Sequence, residues 1–186
     1  WGMTSVVRVN QNEQALIYRT LDRGAQAIVV PHVDTLEEAE NVVAGGKFAP
    51  LGKRGLFTSR QGYGVPDYVE RANDETLLIA LIEDIKAWEN LDEILKVDGI
   101  GVFFVAPGDF AASMGYIGEV SHPAVQAKID DALTRIVAAE RTAGTLAFAG
   151  NVERYASMGV RFFFTSIGPW IAAGARDFID RANAGI

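Results

Sequence analysis

Short apolar runs rich in Val, Ile and Phe recur along the chain, each followed by a longer stretch with helical spacing. This repetition constrains the fold more than any other feature. A run that is apolar at every position suits a strand buried on both faces, as in a parallel sheet, and parallel neighbours need a crossover segment between them. Six such βα units can be placed, with strands predicted over residues 6–9, 27–31, 77–82, 100–106, 146–149 and 160–166. The intervening helices are predicted over 13–23, 36–44, 87–97, 124–143, 152–158 and 170–182. Thr35 and Asn151 serve as N-caps, Pro123 and Pro169 open helices, and Gly24, Gly144 and Gly159 end them.

Two architectures accommodate this pattern, an open doubly wound sheet and a (βα)8 TIM barrel. Six units in 186 residues fall short of the roughly 250 residues of a typical barrel. The count alone favours neither. The chain opens on Trp1 rather than Met, just before an apolar run. An N-terminus cut so as to remove two βα units reconciles the count with a barrel, and residues 1–186 are then a single barrel domain holding the last six units.

Composition narrows the partners. A formal charge of -7 with no clustered basic stripe argues against nucleic acid or an anionic membrane and leaves a small soluble ligand. The absence of cysteine excludes thiol catalysis and thiolate metal sites. No signal peptide is visible, and no apolar run approaches the roughly 18 residues of a membrane span. A cytoplasmic location is the expectation.

The run from Leu77 to Ile82 ends abruptly in Glu83 and Asp84, and the next strand runs directly into Pro107, Gly108 and Asp109. In both candidate folds ligands bind at the carboxyl ends of the strands. If the two strands are neighbours, Glu83 and Asp109 share one mouth, where like charges repel unless a cation or proton intervenes. A divalent metal resolves this. Magnesium or manganese often takes only one or two protein carboxylates, whereas zinc wants more nitrogen or sulfur than is present. An isolated strand-end acid serves as often to cap a helix or pair with arginine; it is the two in register that favour a metal. By alternation Asp84 points away from Glu83 and serves the following helix. Arg8, closing the first strand, reaches the same rim and could hold a carboxylate or a developing oxyanion, although solvated strand-end arginines are common. Gly108 opens the backbone to a ligand, and the turn ahead of Asp109 can offer amide hydrogens to an anion.

These residues, with the segments 6–9, 21–26, 66–68, 71–74 and 106–118 through His122 and Pro123, resemble the HpcH/HpaI aldolase/citrate lyase family, in particular its class II, metal-dependent pyruvate aldolases. The resemblance spans essentially the whole chain. It implies a (βα)8 barrel whose C-terminal helix is exchanged between subunits of a homo-oligomer, a hexamer. It also implies cleavage of a 4-hydroxy-2-oxo acid to pyruvate and an aldehyde through a metal-stabilised enolate. By that resemblance Glu83 and Asp109 hold the metal, and Arg8 stabilises the transition state. Gly108 and Asp109 hold the pyruvyl carboxylate, and Asp22 raises the basicity of a catalytic histidine expected ahead of Trp1. Neither His32 nor His122 takes that histidine's place. His32 follows a strand end and could face the mouth, and His122 precedes Pro123 at a helix start. Leu81 stands where many members carry glutamine, and the loop from residue 52 to residue 64 is slightly short for the family.

Rival chemistries fit less well. A Schiff-base aldolase needs a strand-end lysine, but Lys47, Lys53, Lys86, Lys96 and Lys128 all fall in loops or helices. Gly52 and Lys53 are followed by Arg54 rather than Ser or Thr, so no phosphate loop is present there. A CoA-ester lyase on the same scaffold, or a barrel that binds ligand without turnover, stays open at this point.

Overall fold

The computed structural model describes residues 2–57 and 61–184, so residues 58–60 of the 52–64 loop lie outside the described residues. Six strands, β1 (Val6–Arg8), β2 (Ala27–Val30), β3 (Leu77–Ile82), β4 (Val102–Val105), β5 (Ala143–Leu146) and β6 (Phe162–Phe164), form one sheet in unbroken chain order. Every neighbouring pair is parallel. A doubly wound sheet requires a reversal of strand order, and there is none among the described residues.

The helices are α1 (Gln14–Asp22), α2 (Leu36–Gly46), α3 (Tyr68–Glu75), α4 (Ile85–Glu89), α5 (Leu91–Ile94), α6 (Pro107–Ser113), α7 (Pro123–Ala138), α8 (Val152–Ser157) and α9 (Gly168–Ala184). All but α3 and α9 contribute buried residues to the cluster on one face of the sheet. On that face Ile28, Leu78, Ile82, Phe103 and Val105 pack with helix residues such as Ile17, Leu21, Val42, Ile129 and Leu133. Phe103 is fully buried there, a burial worth roughly 1.5–3 kcal/mol. The opposite face forms its own cluster of Ile79, Leu81, Val102 and Phe104, flanked by Val29, Leu77, Ala106, Leu146 and Phe162. All of these lie on strands or immediately after one. This inner face is an α/β half-barrel's concave side, which a doubly wound sheet would instead cover with helices.

The curl is visible in side-chain contacts. Phe104 on β4 and Phe162 on β6 stack edge-to-face at 6.2 Å between ring centroids, reaching across the intervening strand. Gly144 makes this possible, because a Cβ there would stand 2.9 Å from the Phe104 ring and 3.0 Å from Val102.

Local signals place most elements within a few residues of expectation. Thr35 caps α2, its side chain accepting from the Glu38 N–H, and Asp84 caps α4, accepting from the Lys86 N–H. One strand moves: β5 occupies Ala143–Leu146 rather than 146–149. The preceding helix stops at Ala138, with Glu140 taking the left-handed conformation (φ 58°) that glycine usually supplies. Gly144 is therefore a strand residue, not a helix stop. The helix expected over 87–97 is split at Asn90 into α4 and α5, and α3 and α6 occupy segments that the apolar periodicity does not mark.

The end of α2 is closed by the chain folding back on it. Lys53 N–H donates to Ala44 O at 2.8 Å and Arg54 N–H to Lys47 O at 3.0 Å, using carbonyls that a helix end otherwise leaves unpaired. Gly52 sits so close that a Cβ would fall 2.2 Å from Lys47 O and 2.6 Å from Val43 O, both backbone atoms. Gly52→Ala is expected to lower the unfolding free energy by about 1–3 kcal/mol. Gly55→Ala, where a Cβ meets nothing within 4 Å, leaves it nearly unchanged. Urea denaturation of the two variants checks this.

Candidate functional site

The inner face continues past the end of β3. Ile79, Leu81 and Glu83 alternate onto the concave side, so the acid that follows the strand enters the barrel mouth while Asp84 turns outward to cap α4. Glu83 is only 2% exposed. Its Oε1 accepts the His32 N–H at 2.9 Å, and Oε2 is buried with no hydrogen-bond partner among the described residues. His32 reaches this position by adopting φ 53°, a left-handed turn immediately after Pro31. The His32 Nδ1 lies 3.5 Å from the same Oε1, with the imidazole 71% exposed.

A buried carboxylate oxygen without a donor is costly. A cation removes that cost.

Asp109 arrives from the adjacent unit. Strands β3 and β4 are paired with Ile82 opposite Val105, and Pro107 then starts α6, leaving Gly108 and Asp109 in its first turn. Glu83, Gly108, Asp109 and Arg8 line one cavity of about 640 Å³ whose floor and walls are the inner-face residues Val29, Ile79, Leu81, Phe104, Leu146 and Phe162. A Cβ on Gly108 would meet nothing within 4 Å, so the backbone there is open to a ligand. Arg8 ends the edge strand β1 with its side chain exposed to this cavity.

The donor set suits a hard cation. Among the described residues no group of three or more His, Cys, Asp or Glu side chains converges. Two carboxylates at most can serve, the pattern of magnesium or manganese rather than of zinc. Glu83 and Asp109 are the groups that would hold it.

Asp22 is placed elsewhere. It is the last residue of α1, and the chain re-enters the sheet at Ala27, so Asp22 lies near the amino ends of the strands, opposite the mouth. There its carboxylate is buried against Arg54, with Arg54 Nη2 2.9 Å from Asp22 Oδ1 and 3.0 Å from the Tyr68 hydroxyl. Within one copy of the chain this acid braces the closed end and does not reach the cavity.

Beside His32, burial pushes the Asp34 carboxyl above its ordinary range, and the neighbouring Glu38 and Asp84 carboxylates add to this. Asp34 also organises the loop: its N–H donates to Glu38 Oε2 at 2.7 Å and its carbonyl accepts from Asn90.

The aromatic wall of Phe104 and Phe162–Phe164 and the role of the His32 backbone were not foreseen from the sequence. In a parallel strand buried on both faces, apolar residues on the two sides look alike, so no alternation marks the cavity lining. The left-handed His32 has no compositional signal at all. Leu81, the departure from the family pattern, lines the cavity two residues before Glu83.

Comparison with known proteins agrees with this geometry. The sequence profile of the HpcH/HpaI aldolase/citrate lyase family matches residues 2–162. A hydroxypyruvate/pyruvate aldolase of Roseovarius nubinhibens is 39% identical over 167 residues, covering 87% of this chain and 65% of that protein. A 4-hydroxy-2-oxo-heptane-1,7-dioate aldolase of Salmonella arizonae is 38% identical over 185 residues, covering 96% of this chain and 70% of that protein. The chain thus spans about two thirds of the length of these curated relatives. A crystal structure of a family protein from Burkholderia cenocepacia superposes with a TM-score of 0.87 at 27% identity, covering 96% of this chain and 73% of that one.

The backbone of His32 yields a direct test. Asparagine tolerates the left-handed region and a β-branched residue does not. His32→Val is expected to lower the unfolding free energy by about 1–2 kcal/mol relative to His32→Asn, read from paired denaturant curves.

Proposed function

The chain belongs to the HpcH/HpaI aldolase/citrate lyase family, and on that footing we propose that the protein is a divalent-metal-dependent pyruvate aldolase. Its reaction is the cleavage of a 4-hydroxy-2-oxo acid into pyruvate and an aldehyde. The observation that carries this reading is Glu83 Oε2, a buried carboxylate oxygen without a hydrogen-bond donor among the described residues, on a side chain that lines the same cavity as Asp109 and Arg8.

Each residue has a separable role. Glu83, fixed through Oε1 by the His32 N–H, and Asp109 hold the cation, magnesium or manganese. When bound, the cation supplies Lewis-acid polarisation of the 2-oxo group. Gly108 and Asp109 present backbone amides of the first turn of α6, which have no intrahelical partners, to the substrate carboxylate. As a general base takes the 4-hydroxyl proton, the aldehyde carbonyl forms and the C3–C4 bond breaks. The electron pair of that bond passes into the enolate, whose 2-oxo oxygen the Arg8 guanidinium stabilises, and protonation at C3 then gives pyruvate. The apolar wall of Leu81, Phe104 and Phe162 excludes water from the carbanionic carbon.

The same reading extends to the assembly. The six strands are an arc of a (βα)8 barrel, and α9 is the helix exchanged between subunits of a homo-oligomer. Two features support this: no residue of α9 is buried, and Trp170, Ile171, Phe178 and Ile179 on it are exposed large apolar side chains.

Three outcomes are expected of the full-length protein. Magnesium or manganese raises its melting temperature, by the stabilisation of about 2.7 kcal/mol that a ligand at a hundred times its dissociation constant confers, and Glu83→Gln or Asp109→Asn removes the shift. Pyruvate release from a 4-hydroxy-2-oxo acid stops on chelation, and Arg8→Ala lowers kcat by about 10²–10³-fold; release indifferent to chelator sinks the assignment. For the assembly, Phe178→Asp lowers the molar mass measured by light scattering, and a mass unchanged by the added charge argues against the exchange.

A further inference from the structure

A second cavity, of about 360 Å³, adjoins the first and shares Pro107 and Leu146 with it. It lies between the loop leading into α7 and the start of α8, and its polar lining is Ser121, Gln126, Asn151, Arg154 and Tyr155. None of these residues has a part in the chemistry described above.

The polar groups here are fixed in orientation. Asn151 Oδ1 accepts the Phe148 N–H at 2.7 Å, which leaves its amide nitrogen as the donor end. Gln126 Nε2 donates to Val120 O at 2.9 Å, which leaves its oxygen as the acceptor end. Burial raises the Tyr155 hydroxyl above its ordinary range, against an opposing effect of Arg154 and Gln126, which hydrogen-bond to it. Arg154, the one cation among the residues lining this cavity, is already ion-paired with Asp130. The second oxygen of Asp130, Oδ1, is buried without a hydrogen-bond partner among the described residues.

Such a lining discriminates between ligand classes. A hydroxyl group donates and accepts, so it can satisfy the Asn151 nitrogen and the Gln126 oxygen together. A carboxylate only accepts. It would meet no uncompensated positive charge here, because Arg154 is paired with Asp130, and it would face the Gln126 oxygen.

Resting on the aldolase reading above, we infer that this second cavity is the subsite for the aldehyde end of the substrate, and that it selects a neutral, hydroxylated aldehyde over one bearing a second carboxylate. The 2-oxo acid end sits at Glu83 and Asp109, and the chain beyond the cleaved bond passes over the Pro107 and Leu146 wall into the hydroxyl-binding lining.

The test uses the full-length protein with magnesium, in the direction of aldol addition to pyruvate. Exchange of the pyruvate methyl protons with solvent reports the pyruvate end by itself. Addition to glyceraldehyde, to propanal and to succinic semialdehyde then reports the aldehyde end through kcat/KM. Glyceraldehyde is expected to exceed both others. The ratio of glyceraldehyde to propanal is expected to fall about five- to tenfold in Asn151→Leu and in Gln126→Leu, the size of one lost hydrogen bond. Ser121→Ala, at an exposed position, moves the ratio in the same direction with little demand on folding. A preference for succinic semialdehyde overturns the ligand class. A ratio unmoved in all three variants overturns the subsite. Absence of proton exchange in the unsubstituted protein overturns the aldolase reading itself, and the subsite with it.

Discussion

Parallel pairing in unbroken chain order is the constraint from which the rest of this structure follows. Each strand must return to the same end of the sheet before the next begins, so every connection crosses over the outside and every carboxyl end lies on one rim. The crossover helices thereby cover the outer face alone, and the concave face is left to the strands' own side chains. A cavity at the rim is the geometric result. Residues at the carboxyl ends of the strands and in the turns that follow line it, and after β3 it is alternation that brings Glu83 in while Asp84 caps α4.

This division separates stability from chemistry along the strand axis. At the amino ends, Asp22 and Arg54 form a buried pair supported by Tyr68, and the Arg54 guanidinium lies 4.6 Å from the centre of the Phe48 ring. Lys47 is buried there too, donating to Asn73 O at 2.5 Å and Thr76 O at 2.6 Å. Each of these side chains has at least one ionic or hydrogen-bond partner, although Arg54 Nε is buried without a hydrogen-bond partner among the described residues. At the rim, in contrast, Glu83 has one oxygen without a donor among the described residues, and Asp109 and Arg8 are exposed. What distinguishes Glu83 from the other buried polar groups is that its unpaired oxygen belongs to a side chain lining the rim cavity together with Asp109 and Arg8.

Much of this was legible in the sequence, for identifiable reasons. The βα repeat shows because apolar runs and helical spacing differ in period, and the two acids show because each interrupts a run at its carboxyl end. Asp84 was separable from Glu83 by alternation alone. What escaped notice depends on tertiary context. The position of β5 was misread because Ala143 and Gly144 are weak strand formers that pairing with β4 and the crossing of Phe104 over Gly144 hold in place. The position of Asp22 also depends on tertiary context: it ends a crossover helix, and such a helix ends at the opposite side of the sheet from the cavity of its own chain.

The energetic position of Glu83 ties these points together. A carboxylate taken from water into a site 2% exposed, with one oxygen bonded and one not, is destabilising by itself, since burial of a charge costs several kcal/mol unless it is paired. Nothing in the packing of β3 demands an acid at this place: a residue continuing Ile79 and Leu81 would extend the apolar wall. The His32 turn adds a second cost, because a non-glycine residue at φ 53° is strained. Two unfavourable choices that meet in one hydrogen bond are consistent with a backbone shaped to hold a carboxylate in a fixed orientation. A ligand that binds only the folded chain offsets both costs through its own binding free energy. On the function proposed above, the stability given up at the rim is recovered when a cation fills the site, which would couple the turns after β2 and β3 to that cation.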